Sequence, residues 1–374
     1  MSGAGGSPAT VTAAAMLLAG GSAYALLSGA DFGGGIWDLL AGRGERGARL
    51  RELIDTSMTP VWEANHVWLV YLLVILWTAF PPAFSAIMTA LFVPLSASAL
   101  GIVLRGIGFA FRHEVRRFRS RQLAGALFAG ASLATPFFLG TVVGAIVSGR
   151  VPARPRDDLV GAWANPTSML TGSLFVLACA YVSAVYLVGD AARRGEAGLV
   201  RAFERRAAVA AVATGGLAAA TLAWLSHSAP RVFANLTGRA LPLVALSVAA
   251  GLAVLVAIWR HRYRGVRALA GLAVAAVLWG WGLAQYPELV PGAYTLRAAS
   301  APNASLLAVL AILGIAAVTV GPAFAVLYRL QQRDALAAHA SAPGNPGGRG
   351  DPGGRGDPGG RGRGRAAGGG GAGP

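Results

Sequence analysis

The chain has 374 residues, 55% of them hydrophobic and only 13% charged, and its formal charge is +16. A soluble domain of this length carries about twice that share of charge, so composition excludes a water-soluble globule. With a mean hydropathy of +0.56, it indicates an all-α, polytopic integral membrane protein. One cysteine, Cys179, excludes an internal disulfide and any cysteine-rich metal or cluster site, and reads as a small packed hydrophobe.

Met1 to Thr10 lacks the positive stretch of a cleaved signal peptide, so the apolar segment after it reads as a retained first span. A span needs roughly 17–25 mostly apolar residues. Nine such stretches are expected, at about 11–32, 62–81, 84–108, 123–147, 168–189, 208–228, 240–259, 266–286 and 304–328. Only Pro81-Pro82 separates the second from the third, as a tight uncharged hairpin. Beyond 335 the composition changes. Gly-Gly-Arg-Gly-Asp-Pro occurs twice within 347–358 and then gives way to Arg-Gly and Gly runs. Such a segment buries too little apolar surface to fold. The expected division is therefore a nine-span membrane domain, 1–335, and a disordered Gly/Arg/Pro-rich cytoplasmic tail, 336–374.

All 32 basic residues are arginine. With the N-terminus outside, 25 of them fall on the cytoplasmic side, 6 fall in outer loops, and Arg105 lies inside a span. This bias indicates an N-out, C-in orientation. The positive charge is thus a topology signal, and nucleic acid is not an expected partner; membrane lipid is.

The same topology brings Asp31, Glu63 and Arg105 to the cytoplasmic ends of the first three spans. Ionisable groups near hydrocarbon are expensive and need a partner or a role. Three readings stand: boundary residues solvated at the interface, with Arg105 snorkelling; a structural ion pair between Arg105 and one acid; or a proton entry in which a partly buried carboxylate accepts and releases protons. Trp62, Asn65 and His66 fall at i, i+3 and i+4, hence on one helical face beside Glu63. Trp62 and Trp68 also suit interfacial anchoring. Haem requires axial His, Met, Cys or Tyr at membrane depth. Of the five histidines only His66 approaches the membrane beside other polar groups, and it reads as a partner of Glu63. Neither a nucleotide loop, a zinc spacing nor a nucleophile triad is present, so this chain is not expected to be catalytic alone. A proton-coupled secondary transporter is the rival from another class; the broken inverted repeats that such a protein would show are not evident.

Several stretches, in order, resemble subunit II of cytochrome bd-type quinol oxidases. Ser28-Gly29-Ala30-Asp31-Phe32-Gly33-Gly34-Gly35 is similar to the family's first-span ending, and Thr59 through Trp68 to its second-span signature. The Arg-x-x-Gly-Phe-x-x-Arg element appears as Arg105 to Arg112. Later agreements are Thr135-Pro136 before Leu139-Gly140, Asn165-Pro166, Gly282, Tyr286-Pro287, Pro291, and Gly321-Pro322 ahead of Tyr328. The resemblance spans about residues 10–330. It implies a subunit of the bacterial cytoplasmic membrane that ligates no haem itself. Its partner would be subunit I, which holds the haems (b558, b595 and d types) and the quinol site, with small single-span accessory subunits also known in the family. The complex oxidises ubiquinol or menaquinol, reduces dioxygen to water and takes protons from the cytoplasm. On this resemblance Glu63, Asp31, Ser28 and His66 are proton-pathway candidates, while Trp62, Asn65, Trp68, Arg105 and Arg112 are motif or structural residues. Four departures mark a divergent branch: Ser28 stands where the family has an acid, Glu63 replaces Asp, Ala64 replaces Gly, and His66 replaces Glu or Gln. A purely structural subunit, with its acids paired to Arg105, is compatible with the same membership.

Overall fold

The computed structural model describes residues 6–114, 118–154, 158 and 160–340; the side chains at 58–64, 109–114, 118–124, 320–321, 323–325 and 327–340 lie outside the description. Helices dominate the described residues. Six helices are long and apolar enough to cross a membrane. They are α1 (Pro8–Leu39), the Gly125–Val147 part of α5 (Phe118–Val147), α6 (Pro166–Arg193), α7 (Ala197–Ser228), α9 (Leu241–Trp259) and α10 (Val266–Gln285). A seventh is formed if the bent pair α3 (Pro81–Ala90) and α4 (Phe92–Glu114) counts as one span. Two shorter apolar stretches, Asn65–Ala79 in α2 (Gly44–Ala79) and Asn303–Thr319 in α12 (Asn303–Ala340), coincide with the other two expected spans. The chain is a helical integral membrane protein.

Three boundaries differ from expectation, each for a local reason. First, α1 does not stop near residue 32 but continues to Leu39, so Asp31 sits two turns inside a helix. Gly33-Gly34-Gly35 resembles a helix terminator, yet these glycines are buried and helical because neighbouring helices press against them. Second, α2 begins at Gly44, so Glu63 lies in mid-helix rather than in a first turn. The added turns are amphipathic: Gly47, Leu50, Leu53 and Ile54 are buried, while Arg46 and Arg49 face out. Third, the stretch 84–108 is not one straight span; α3 and α4 meet at Leu91 with a bend of 83°. Pro94 lacks the N–H that would bond the Ala90 carbonyl and its ring crowds that turn, so the helix breaks there and restarts.

A small antiparallel hairpin interrupts the all-α pattern, with β1 (Glu288–Val290) paired to β2 (Tyr294–Thr295). Pro287 and Pro291 bar a helix here, and Gly292, at φ +76°, makes the turn. Short helices α8 (Pro230–Thr237) and α11 (Leu296–Ala299) complete the set.

Contacts divide the chain into two units, Met1–Gly314 and Ile315–Pro374. In the second, α12 is described as far as Ala340, with Pro322 inside it, and most of the expected tail lies outside the described residues. In the first, small residues set the helix spacing. A Cβ on Gly33 would come within 2.0 Å of the Cys179 carbonyl oxygen on α6, and one on Gly35 within 2.0 Å of Ser132 Oγ on α5. Between α5 and α6, a Cβ on Gly144 would lie 2.5 Å from Ser168 Cα. Close backbone approach through small residues is how membrane helices gain van der Waals contact without a hydrophobic drive. Cys179 is 1% exposed in the core between α1, α6 and α7.

Candidate functional site

The first unit holds one buried charged cluster built from four helices. α1 brings Asp31, α4 brings Arg105, α5 brings Phe128 and Ser132, and α2 brings Asn65 and His66. Gly101, one turn before Arg105, lets α4 close on α5: a Cβ there would meet Thr135 Oγ1 at 2.2 Å. That approach carries the Arg105 guanidinium to Ser132.

Arg105 is fully committed. Its Nη1 forms an ion pair with the Asp31 carboxylate. Its Nη2 donates to the Asp31 backbone carbonyl at 2.8 Å, and its Nε donates to Ser132 Oγ at 2.9 Å. Ser132 passes its own hydrogen to the Phe128 carbonyl at 2.6 Å. Above and below, the guanidinium faces the rings of Phe32 (5.1 Å) and Phe128 (4.8 Å), an arrangement that favours a delocalised cation. Asp31 is 1% exposed and Arg105 3%. These values set aside the solvated-boundary and snorkelling readings. The ion-pair reading holds, with Asp31 as the acid.

Asn65 Nδ2 reaches Asp31 Oδ2 at 3.5 Å, a long contact. Beside it lies a small cavity lined by Tyr24, Asp31, Asn65, His66 and Arg105, with Phe32, Leu69 and Ile102 as its apolar wall. The space open to a water's centre is about 10 Å3, room for about one water molecule.

The other candidates separate from this group. Ser28 is fully buried one turn earlier on α1, off the cavity wall, and its hydroxyl has no hydrogen-bond partner. Trp68 packs edge-on against Tyr71 at 5.5 Å between ring centres and does not line the cavity. The side chains of Glu63, Trp62 and Arg112 lie outside the described residues; their backbones belong to α2 and α4. Sequence reasoning passed over Tyr24, Phe128 and Ser132. Ser132 lies among small residues that read as packing, and only its place one turn before Pro136 set it apart. Tyr24 shares a face of α1 with Ser28 and Asp31, at i, i+4 and i+7, and that spacing was a usable signal.

The residues present do not fit a haem. His66 opens on a cavity with room for about one water, His227 is exposed, and His261 is bound to Glu204 and Tyr263 at an exposed turn. Among the described residues no group of three or more His, Cys, Asp or Glu is placed to hold a metal ion.

A family profile described as cytochrome bd terminal oxidase subunit II matches residues 9–331. Among curated proteins, the cytochrome bd ubiquinol oxidase subunit 2 of Bacillus subtilis (strain 168) is 28% identical over 159 residues, which is 42% of this chain and 46% of that protein. The cytochrome bd-I ubiquinol oxidase subunit 2 of Escherichia coli (strain K12) is 26% identical over 34% of this chain and 32% of that protein. These matches span less than half the length of the curated relatives. A chain of the bd oxidase structure from Geobacillus thermodenitrificans superposes with a TM-score of 0.72 at 21% identity, covering 87% of this chain and 98% of that one. The superposition speaks for a shared fold, and the profile covers most of the sequence. The chain belongs to the cytochrome bd terminal oxidase subunit II family.

Proposed function

We propose that this chain is the non-haem subunit of a bd-type oxidase in the bacterial cytoplasmic membrane. In this reading it has nine spans, with the N-terminus outside and the C-terminus inside. It stabilises a subunit I that carries haems b558, b595 and d and the quinol site. The complex oxidises ubiquinol or menaquinol and reduces dioxygen to water, with this chain helping protons enter from the cytoplasmic side. The haem chemistry belongs to the partner, and no step of it runs through residues of this chain.

The observation that carries the proton reading is the buried cluster of Asp31, Arg105, Asn65 and His66 around a water-sized cavity. An Arg-neutralised carboxylate with three further donors and acceptors about it is a fixed electrostatic element. Mobile protons therefore fall to groups not held by Arg105, namely His66 on the cavity wall and Glu63, one turn or less away in sequence on α2. Ser28 has the hydroxyl to relay a proton but no charge to hold one.

Glu63→Gln tests this in the assembled oxidase. Oxygen reduction driven by quinol is expected to slow while the haem absorption spectrum is unchanged. Full turnover would remove Glu63 from the mechanism. Loss of haem would favour the second reading, a purely structural subunit, which the pairing of Asp31 with Arg105 supports on its own.

A further inference from the structure

The cavity beside Asp31 is walled by hydrogen-bonding groups that the ion pair leaves unused. Tyr24 is 6% exposed and its hydroxyl is buried without a hydrogen-bond partner. Asn65 is 3% exposed; its amide nitrogen turns to Asp31, and its Oδ1 is buried without a partner. Both residues line the cavity. A donor and an acceptor left unmade in a buried site are each costly, and native proteins satisfy nearly all such groups with protein or water. One unused donor, one unused acceptor and a carboxylate face a space the size of one water. A water there accepts from the Tyr24 hydroxyl, donates to Asn65 Oδ1 and turns its second hydrogen to Asp31, which gives it the three partners usual for a buried water.

We propose that Tyr24 and Asn65 hold a single ordered water against Asp31, and that this water and the Tyr24 hydroxyl together form a proton-relay step within this chain. The relay rests on the proton-uptake reading above; the water site does not. In the step, the water takes a proton on its oxygen from the cytoplasmic side and gives up one of its own to the phenol oxygen. The phenol releases its original proton onward. Each group ends neutral, and no electron moves. The Asp31 carboxylate, fixed by Arg105, stabilises the passing positive charge without itself being carried along. Tyr24 lies seven residues, or about 10 Å of helix rise, before Asp31 on α1, which under the proposed orientation extends the polar path from the cytoplasmic end toward the membrane centre.

The test uses the assembled oxidase and Tyr24→Phe, which keeps the ring and removes the hydroxyl. A cryo-electron-microscopy map that resolves other buried waters is expected to show density between Tyr24 and Asn65, lost or displaced in the variant. Absence of that density in the unaltered protein overturns the site. Quinol-driven oxygen consumption is expected to slow several-fold in the variant, with a larger solvent deuterium isotope effect and an unchanged haem spectrum. With the density present, unchanged turnover and isotope effect overturn the relay, and so does a variant slowed only in proportion to lost haem. If Glu63→Gln is silent as well, it is the proton-uptake reading that fails, and the water site is judged on the map alone.

Discussion

The Asp31–Arg105 pair and the Glu204–His261–Tyr263 trio both join separate segments by charge and hydrogen bonding, at very different depths. In the first, the side chains are 2% and 4% exposed, and every donor on the guanidinium edge meets a named acceptor. In the second, Glu204 of α7 is 12% exposed but its partner His261 is 70% exposed, on the turn between α9 and α10. Glu204 accepts from the Tyr263 hydroxyl at 2.6 Å and faces His261 Nδ1 at 2.8 Å. Bond lengths are similar, yet the energetic consequences are not. Water solvates the exposed trio whether or not its bonds form, so breaking one bond there changes little. Breaking the buried pair strands a charge where no water replaces the partner. The contrast teaches that depth, more than geometry, decides what an ion pair is worth in this fold.

The strongest way to break the comparison is Arg105→Leu, which leaves Asp31 buried and unpaired. A loss of about 3–5 kcal/mol is expected, read as a lower unfolding midpoint and poorer assembly of the purified complex. Adding Asp31→Leu is expected to restore part of that loss, since two apolar groups leave no stranded charge. Wild-type stability in Arg105→Leu alone would show that the pair is not buried in the working protein.

A smaller effect is expected from the packing that makes the site dry. Gly33→Ala drives a methyl into the Cys179 carbonyl and is expected to cost about 1–3 kcal/mol, measured by thermal unfolding. Gly130→Ala is the control: it sits in α5 with nothing within 4 Å of the added Cβ and is expected to cost nothing, since alanine favours the helix. Equal losses at both positions would mean that the close approach of α1 and α6 is not what Gly33 supports.

The smallest effect belongs to the trio. Glu204→Gln is expected to cost less than about 1 kcal/mol, and less again at high salt, as befits a pair with one exposed partner. Its pH response has a definite sign. Burial, then the bond to Glu204 and that carboxylate's charge, pushes the Tyr263 phenol up to about 12. A phenol whose value is raised on folding contributes stability that is full below its unfolded value, about 10, and is lost as pH rises through 12. Tyrosinate absorbance that differs between the intact chain and Tyr263→Phe only near pH 10 would sink this assignment.

How much of this was legible beforehand varies by residue. The apolar stretches were readable because a helix in lipid must be apolar over its full crossing length, whatever its neighbours do. Asp31, Asn65, His66 and Arg105 were readable as a group because polar side chains in such stretches stand out against the background. The end of α1 was misread because glycine has two uses: it terminates helices in isolation, and it admits a neighbouring backbone in a bundle. Only the contact of Gly33 with Cys179 and of Gly35 with Ser132 tells which applies. Ser132 and Phe128 were invisible for a related reason. A serine and a phenylalanine one turn apart on an apolar helix carry no charge signature, and they become part of the site only when Gly101 lets α4 close on α5.

By itself, then, the sequence determined the membrane class, the approximate placement of the helices and the short roster of charges that need a partner, because these follow from the cost of polar groups in hydrocarbon. The family resemblance followed from residues 28–35, 59–68 and 105–112. Tertiary structure alone decided that Asp31 is the acid Arg105 holds, that Ser28 stands apart, and that Tyr24 and Asn65 share a water-sized cavity. Those outcomes depend on angles and distances between helices distant in sequence, which the period of any single helix does not encode.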